Sequence, residues 1–357
     1  MTEAVAQPAA GRRHGRAMLA TCGGAHFIHD GLSDGLYVLL PLWAEAFGLS
    51  LAQIGLLKTI YSGAMASFQL PAGLLSERIG ERSLLVAGTV VAGTAYGAIA
   101  VVDGALALAM LLLLGGFASG VQHPLSSALI ARAFETGRRR AALGTYNFSG
   151  GLGTVAAPGA AGLAIAFVGW QGATAGLGAI AVAAGLVLLV ALRRLGAGGP
   201  PARPAAAEPA IARRDWGIRN RLGFRAISAI GIIDSGVRYG FLTFVPFLLV
   251  EKGARIEAVG LALALIFGGG AVGKLACGLL AERLGVIRTA AATEIATALA
   301  ILALPFLPLG AAFVLLPFAG MALNGTSSVL YGTVGDFVAP DRQSRAYGLF
   351  YTLGIGS

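Results

Sequence analysis

Ionisable side chains recur at helical spacing in two otherwise apolar stretches of the chain. His26, Asp30 and Asp34 follow one another at i, i+4 and i+8, with His29, Ser33 and Tyr37 on the adjoining stripe. In a helix this spacing puts all six along one side. Asp234 and Arg238 repeat the i, i+4 step later in the chain. Charge is costly inside a membrane, so an ionisable residue there marks a solute path or a proton relay. The carboxyls of Asp30 and Asp34, in a partly dry cavity, can exchange protons as that cavity changes state. The imidazoles of His26, His29 and His123 change charge near neutrality. These five are the candidates for proton coupling. Arg238 is suited to hold an anionic group through two parallel hydrogen bonds, or else to neutralise Asp234.

Other polar residues extend the candidate cavity. Beside Asp234, Arg238 and Tyr37 they are Gln122, Asn147, Lys274, Asn324 and Tyr331. Gln122, Asn147, Asn324 and Tyr331 could equally be interhelical hydrogen bonds. Lys58 and Lys274 fall about two turns from a membrane face, where a lysine can snorkel. Glu294 belongs to no pattern. His26 and His29 stand beside Asp30, but no His-x-x-x-His motif with an acid completes a ligand set. No metal site and no cofactor are therefore expected, nor an enzyme, since no convergent nucleophile is present. A transport-inactive sensor on the same fold stays open.

The elements that position these residues follow from composition. Charged residues are 12% of the 357, and apolar ones 56%. A soluble domain carries about a quarter charged residues, so lipid must solvate most of this chain. The formal charge of +9 is spread in short clusters between long apolar runs, which excludes a nucleic-acid footprint. Cys22 and Cys277 lie in apolar runs and make no disulfide framework.

A spanning helix needs about 20 mostly apolar residues. Such runs fall at 18–44, 52–75, 84–102, 105–131, 141–168, 172–194, 223–250, 257–281, 287–307 and 310–337. An eleventh starts near Ser344 and stops at Ser357, about two thirds of a span. The sequence is thus expected to break off inside a helix. Arginines gather in alternate connections: the N-terminal tail, Arg78 with Arg82, Arg132 with Arg138–Arg140, 193–225, and Arg283 with Arg288. By the positive-inside rule the N-terminus is cytoplasmic, in a multi-pass protein of the plasma (inner) membrane.

Residues 197–210 are rich in Ala, Pro and Gly and read as a linker. The expected organisation is a tail at 1–17, a first bundle of six helices at 18–195, a linker at 196–222 and a second bundle at 223–357. Shifting the chain by 205 positions lays residues 26–80 on 231–285 without a gap, with about sixteen identities in fifty-five. Gly31, Gly35, Pro41, Gly48, Gly55 and Gly63 meet Gly236, Gly240, Pro246, Gly253, Gly260 and Gly268. The run from Gly73 to Gly80, with Glu77 and Arg78, meets the run from Gly278 to Gly285, with Glu282 and Arg283. Two parallel six-helix halves are a transporter architecture, with the site between them near mid-membrane.

The segment from Gly73 to Arg82 resembles the loop signature of the major facilitator superfamily between helices 2 and 3. Its acid is Glu77 rather than Asp, and Glu81 takes a place where a base is common. In that family the loop steadies one state of the gating cycle. Close approach at Gly73 and latching of a neighbouring helix end by Glu77 and Arg78 would supply the physics. Helix 5 is similar to the antiporter signature: Gly144, Gly153, Ala157-Pro158 and Ala161-Gly162, with Ala at two glycine places. His26-Phe-Ile-His-Asp30 and Gly120-Val-Gln-His-Pro124 resemble elements of the fosmidomycin-resistance efflux branch, with His29 and Gln122 as departures. Helix 4 lacks the mid-helix Arg of many proton-coupled antiporters.

The resemblance implies an all-α polytopic fold of two pseudo-symmetric bundles working by alternating access. It implies proton-coupled export of a small organic solute or drug by a monomer, with the proton gradient as driving force. Uptake, by symport or uniport, of a small metabolite, anionic or neutral, is the alternative. The partners expected are a small-molecule substrate, protons and the lipid bilayer, with no nucleic acid.

Overall fold

The computed structural model of the chain describes residues 9–200 and 218–338, together with 349, 350, 352–354 and 356. Among them the structure is helical, with one isolated bridge between Ile218 and Val338. The first bundle holds α1 (Ala9–Phe47), α2 (Leu51–Ile79), α3 (Glu81–Ile99), α4 (Ala105–Ser119), α5 (Gln122–Ala133) and α6 (Thr136–Arg194). The second holds α7 (Arg221–Glu251), α8 (Ile256–Leu284), α9 (Val286–Ala303) and α10 (Leu309–Val334). Residues 201–217 of the expected linker, and 344–348 of the expected eleventh span, lie outside the described residues.

Among the described residues, seven helical stretches are long and apolar enough to cross a membrane. At 39 and 29 residues, α1 and α2 have the length too, but carry more polar side chains. Ten spans were expected in this part of the chain, and their differences from the elements have local causes. The expected fourth span divides at Gly120 and Val121, because Pro124 has no N–H to give the Gly120 carbonyl. The fifth and sixth form the single element α6, turning at Gly169 with φ 69° and ψ 173°. α1 begins at Ala9, ahead of the expected start at 18, where Gly15 lies against Ala133 and Phe134.

The internal repeat extends to backbone conformation. Gly48 and Gly253 both have positive φ, as do Gly80 and Gly285. Each follows a helix that a β-branched or bulky residue could not end this way. The α2 start is fixed by a capping box, in which the Ser50 N–H donates to Gln53 Oε1 (2.8 Å) and Ser50 Oγ accepts from the Gln53 N–H.

Apolar packing differs between the two ends of the bundles. At one end a single cluster joins both, running from Leu36, Leu40 and Trp43 of α1 to Leu242 and Leu249 of α7 and Leu263 of α8. At the other end the clusters stay separate. One contains Met18, Leu84, Leu129 and Leu192 of the first bundle, the other Phe224, Leu330, Val334 and Phe350 of the second. Among the described residues the bundles are therefore sealed together by apolar packing at one end and parted at the end that carries Arg82, Arg132 and Arg283.

Candidate functional site

The side of α1 picked out by its spacing carries a cluster of imidazoles around one carboxylate. His26 Nε2 lies 3.0 Å from Asp30 Oδ2, one helical turn away. His29 Nε2 and His123 Nε2 lie 3.8 and 3.9 Å from Asp30 Oδ1. The interruption of helix 4 before Pro124 delivers His123, whose ring packs edge-on to those of His26 and His29 at 5.0 and 5.2 Å. From α6, Tyr146 stacks on His26 at 4.0 Å, and its carbonyl lies 2.9 Å from His26 Nδ1. A carbonyl only accepts, so Nδ1 is the donor and Nε2 is the atom turned to Asp30. Gly150 leaves the room: a Cβ there would collide with His26 and Asp30. Spacing on one helix announces neither Tyr146 nor Gly150, since both come from α6.

Four residues along, Asp34 lies within electrostatic reach of Lys58 in its own bundle and of Arg238 and Lys274 in the other. Lys58 does not snorkel to a membrane face. Its side chain is 8% exposed, and Nζ sits 4.6, 5.2 and 5.8 Å from the ring centroids of Tyr37, Tyr61 and Tyr239. Tyr239 belongs to the second bundle, so this aromatic cage bridges the two. Tyr37 is fully buried in the shared apolar cluster rather than open to a cavity. Lys274 is exposed on α8 and within reach of Asp30, Asp34 and Arg238.

In the second bundle Ser327 donates to Asp234 Oδ2 (3.0 Å) and accepts from Arg238 Nη1 (3.1 Å), linking the two charges through one hydroxyl. Arg238 also donates to Ser235 Oγ (3.3 Å) and lies 5.0 Å from the Tyr239 ring. Glu294 of α9 lies beside this group, within electrostatic reach of Asp234 and next to Thr326. Its place was illegible because its partners sit on α7 and α10. Gln122 is buried and donates to Ser126 Oγ (3.2 Å), and Asn324 is buried and donates to the Gly320 carbonyl (3.1 Å). Both bonds are local, one turn along the same helix. Asn147 is exposed, and the Tyr331 side chain lies outside the described residues.

With this geometry in view, the family can be assigned. A family model described as "Major Facilitator Superfamily" matches residues 22–355. The chain belongs to that superfamily. An uncharacterised superfamily transporter of Mycobacterium tuberculosis (strain H37Rv) is 27% identical over 254 residues, 71% of this chain and 55% of the relative. The tetracenomycin C resistance and export protein of Streptomyces glaucescens is 28% identical over 156 residues, 43% of this chain and 29% of that one. The chain thus spans about half the length, 55%, of the first curated relatives it matches. Among solved structures, a bacterial homologue of the human lysosomal transporter Spinster, in an inward-facing and unoccupied conformation, superposes with a TM-score of 0.80. The identity is 16%, with 96% of this chain and 79% of the other covered. The nucleoside transporter NupG superposes at 0.75 with 15% identity, covering 95% and 88%. At such identities the likeness is one of fold.

The superfamily signatures take up distinct roles in this conformation. The helix 5 signature seats α6 against its neighbours. A Cβ on Gly153 would strike the Phe27 backbone of α1, and Gly162 lies against Ile256 and Gly260 of α8, beside Pro158. Gly144 faces open space. Gly73 and Gly278 also face open space and do not serve a close helix approach. Glu77, Arg78, Glu282 and Arg283 are exposed, and none forms an ion pair among the described residues. The loop is held instead by its next residues. Glu81 pairs with Arg132 at 2.6 Å, and the Arg82 N–H donates to the Gly198 carbonyl (2.8 Å). Gly80 packs on Gly198 and Gly199, where no side chain fits.

Proposed function

We propose that this superfamily member is a secondary active exporter of a small organic solute, working by alternating access and driven by protons. The carrying observation is Asp34, half-buried between bundles that, among the described residues, are sealed on one side only, and within reach of cations in both. A carboxyl so placed exchanges its partners whenever the bundles rock, which couples its charge to the side from which the cavity is open. The parted end carries the arginine clusters, so the opening faces the cytoplasm by the positive-inside rule. Export is supported by the helix 5 signature at the contact with α8, by the similarity to an antibiotic export protein, and by the α1 and helix 4 elements that resemble the fosmidomycin-resistance branch.

Uptake of a small anion is the second reading. It is favoured by Arg238 and Lys274, two cations of the second bundle that lie within reach of each other. One experiment separates the two. The protein is reconstituted in liposomes with an internal pH dye, and a panel of drugs, phosphonates included, and of small organic anions is added. Export by exchange predicts solute-dependent proton movement opposite to the solute, absent in Asp34→Asn. Proton movement in the same direction as an anion, or anion flux without protons, would establish uptake instead.

A further inference from the structure

Three of the chain's four histidines meet at one carboxylate from two helices, which composition alone would not arrange. The donor atoms of His26, Asp30 and His123 all lie within 4.8 Å of one another. His29 Nε2 is buried without a hydrogen-bond partner and points at the same carboxylate from 3.8 Å. The Tyr146 carbonyl holds the proton of His26 on Nδ1. In the neutral ring the Nε2 lone pair then faces the Asp30 carboxylate across 3.0 Å. Two electron-rich atoms at that distance repel unless a cation lies between them.

We infer that His26, His29, Asp30 and His123 form a binding site for a divalent first-row transition-metal ion. A metal with bonds of about 2.1 Å holds adjacent donors about 3.0 Å apart in an octahedron and about 3.4 Å apart in a tetrahedron. The His26–Asp30 spacing already meets the first figure. His29 and His123 must close on the Asp30 carboxylate by less than about 1 Å, and His29, whose nitrogens fall outside the 4.8 Å group, must turn further towards His26 and His123 by rotamer adjustment. His123 is the natural entry, because its side chain is 35% exposed beside the helix 4 break. Imidazole with one carboxylate and no thiolate suits zinc, cobalt, nickel or ferrous iron rather than cuprous copper or magnesium. The Tyr146 carbonyl on His26 Nδ1 is the outer contact that ligating histidines characteristically make. A single-helix motif search misses the site, since its third imidazole arrives from another helix. The inference rests on this cluster alone, so it does not depend on the direction of transport.

The test is a cobalt(II) titration of the purified full chain, carrying an affinity tag free of histidine, followed by visible absorption and by zinc(II) competition. One equivalent is expected to give a ligand-field spectrum that zinc abolishes, and to raise the thermal midpoint. Affinity should fall at least tenfold in His123→Gln and in Asp30→Asn, and stay unchanged in His14→Gln, since His14 is exposed and remote in sequence from the cluster. His123→Gln, at the half-exposed position, keeps the test valid if Asp30→Asn does not fold. Absence of spectral and thermal response in the folded wild type would assign the cluster to a proton and overturn the proposal. Undiminished binding in both variants would overturn it as well.

Discussion

Gly80 and Gly285 stand 205 residues apart and turn the chain through the same backbone conformation, φ 83° and ψ 150° against φ 86° and ψ 154°. Only glycine occupies that region at ease. Their surroundings differ, however. A Cβ at Gly80 would collide with the backbone of Gly198 and Gly199, whereas Gly285 has open space around it. Gly285→Ala is expected to cost backbone strain alone, about 1–3 kcal/mol. Gly80→Ala should cost more, because the start of the connection after α6 must also shift. Thermal unfolding in detergent, with both variants side by side, gives the comparison. Equal midpoints would deny the second contact.

A parallel contrast lies on α6. Gly153 abuts the Phe27 backbone, while Gly144 faces open space. Gly153→Val should lower the thermal midpoint through overpacking of about 1–3 kcal/mol. Gly144→Ala should leave it unchanged or raise it slightly, since alanine favours the helix by about 0.8–1.0 kcal/mol. A Gly153→Val protein as stable as wild type would mean that α1 and α6 pack less closely than described.

The Lys58 cage ties Tyr37 and Tyr61 of one bundle to Tyr239 of the other at the sealed end. Cation–π contacts of this kind contribute about 0.5–2 kcal/mol. Lys58→Gln should therefore shift the balance towards the state open on the opposite side by about twofold to thirtyfold. A cysteine at Val38, fully buried in the seal, reports on it by its rate of thiol alkylation. Both native cysteines are buried and give a low background. An unaltered labelling rate would remove the cage from the seal.

Asp34→Asn should retain solute binding, measured by quenching of intrinsic tryptophan fluorescence, while losing solute-dependent proton movement. Loss of both together would make Asp34 a substrate ligand rather than a coupling group. Retention of both would exclude it from the mechanism.

Much of the fold was legible because hydrocarbon imposes one simple demand, apolar runs of spanning length, and because the repeat preserves glycines where the backbone needs them. The α1 stripe was legible for the same reason, since helical spacing by itself puts His26, Asp30 and Asp34 on one side. What stayed hidden depended on which helices meet. Tyr146, Gly150 and Glu294 act across helix contacts, and a lysine two turns into a helix looks the same in sequence whether it reaches for lipid headgroups or for three tyrosines. The sequence put the loop signature's contacts on Glu77 and Arg78, whereas in this structure they come from Glu81 and Arg82. Glu77 and Arg78 are exposed at the end that carries Arg82 and Arg132, and residues 339–348 lie outside the described part of the chain.

The apolar seal has a thermodynamic consequence. Parting the cluster that joins Trp43, Leu40, Leu249 and Leu263 wets buried hydrocarbon surface, and that exposure carries a positive heat capacity. If a matching seal does not close over equal area at the opposite end, the two access states differ in heat capacity. Their balance then follows a curve with temperature, with cooling weakening the larger seal. Transport by this chain would be cold-sensitive in a way that bilayer fluidity does not explain. Measurement in lipids of constant phase would isolate that curvature.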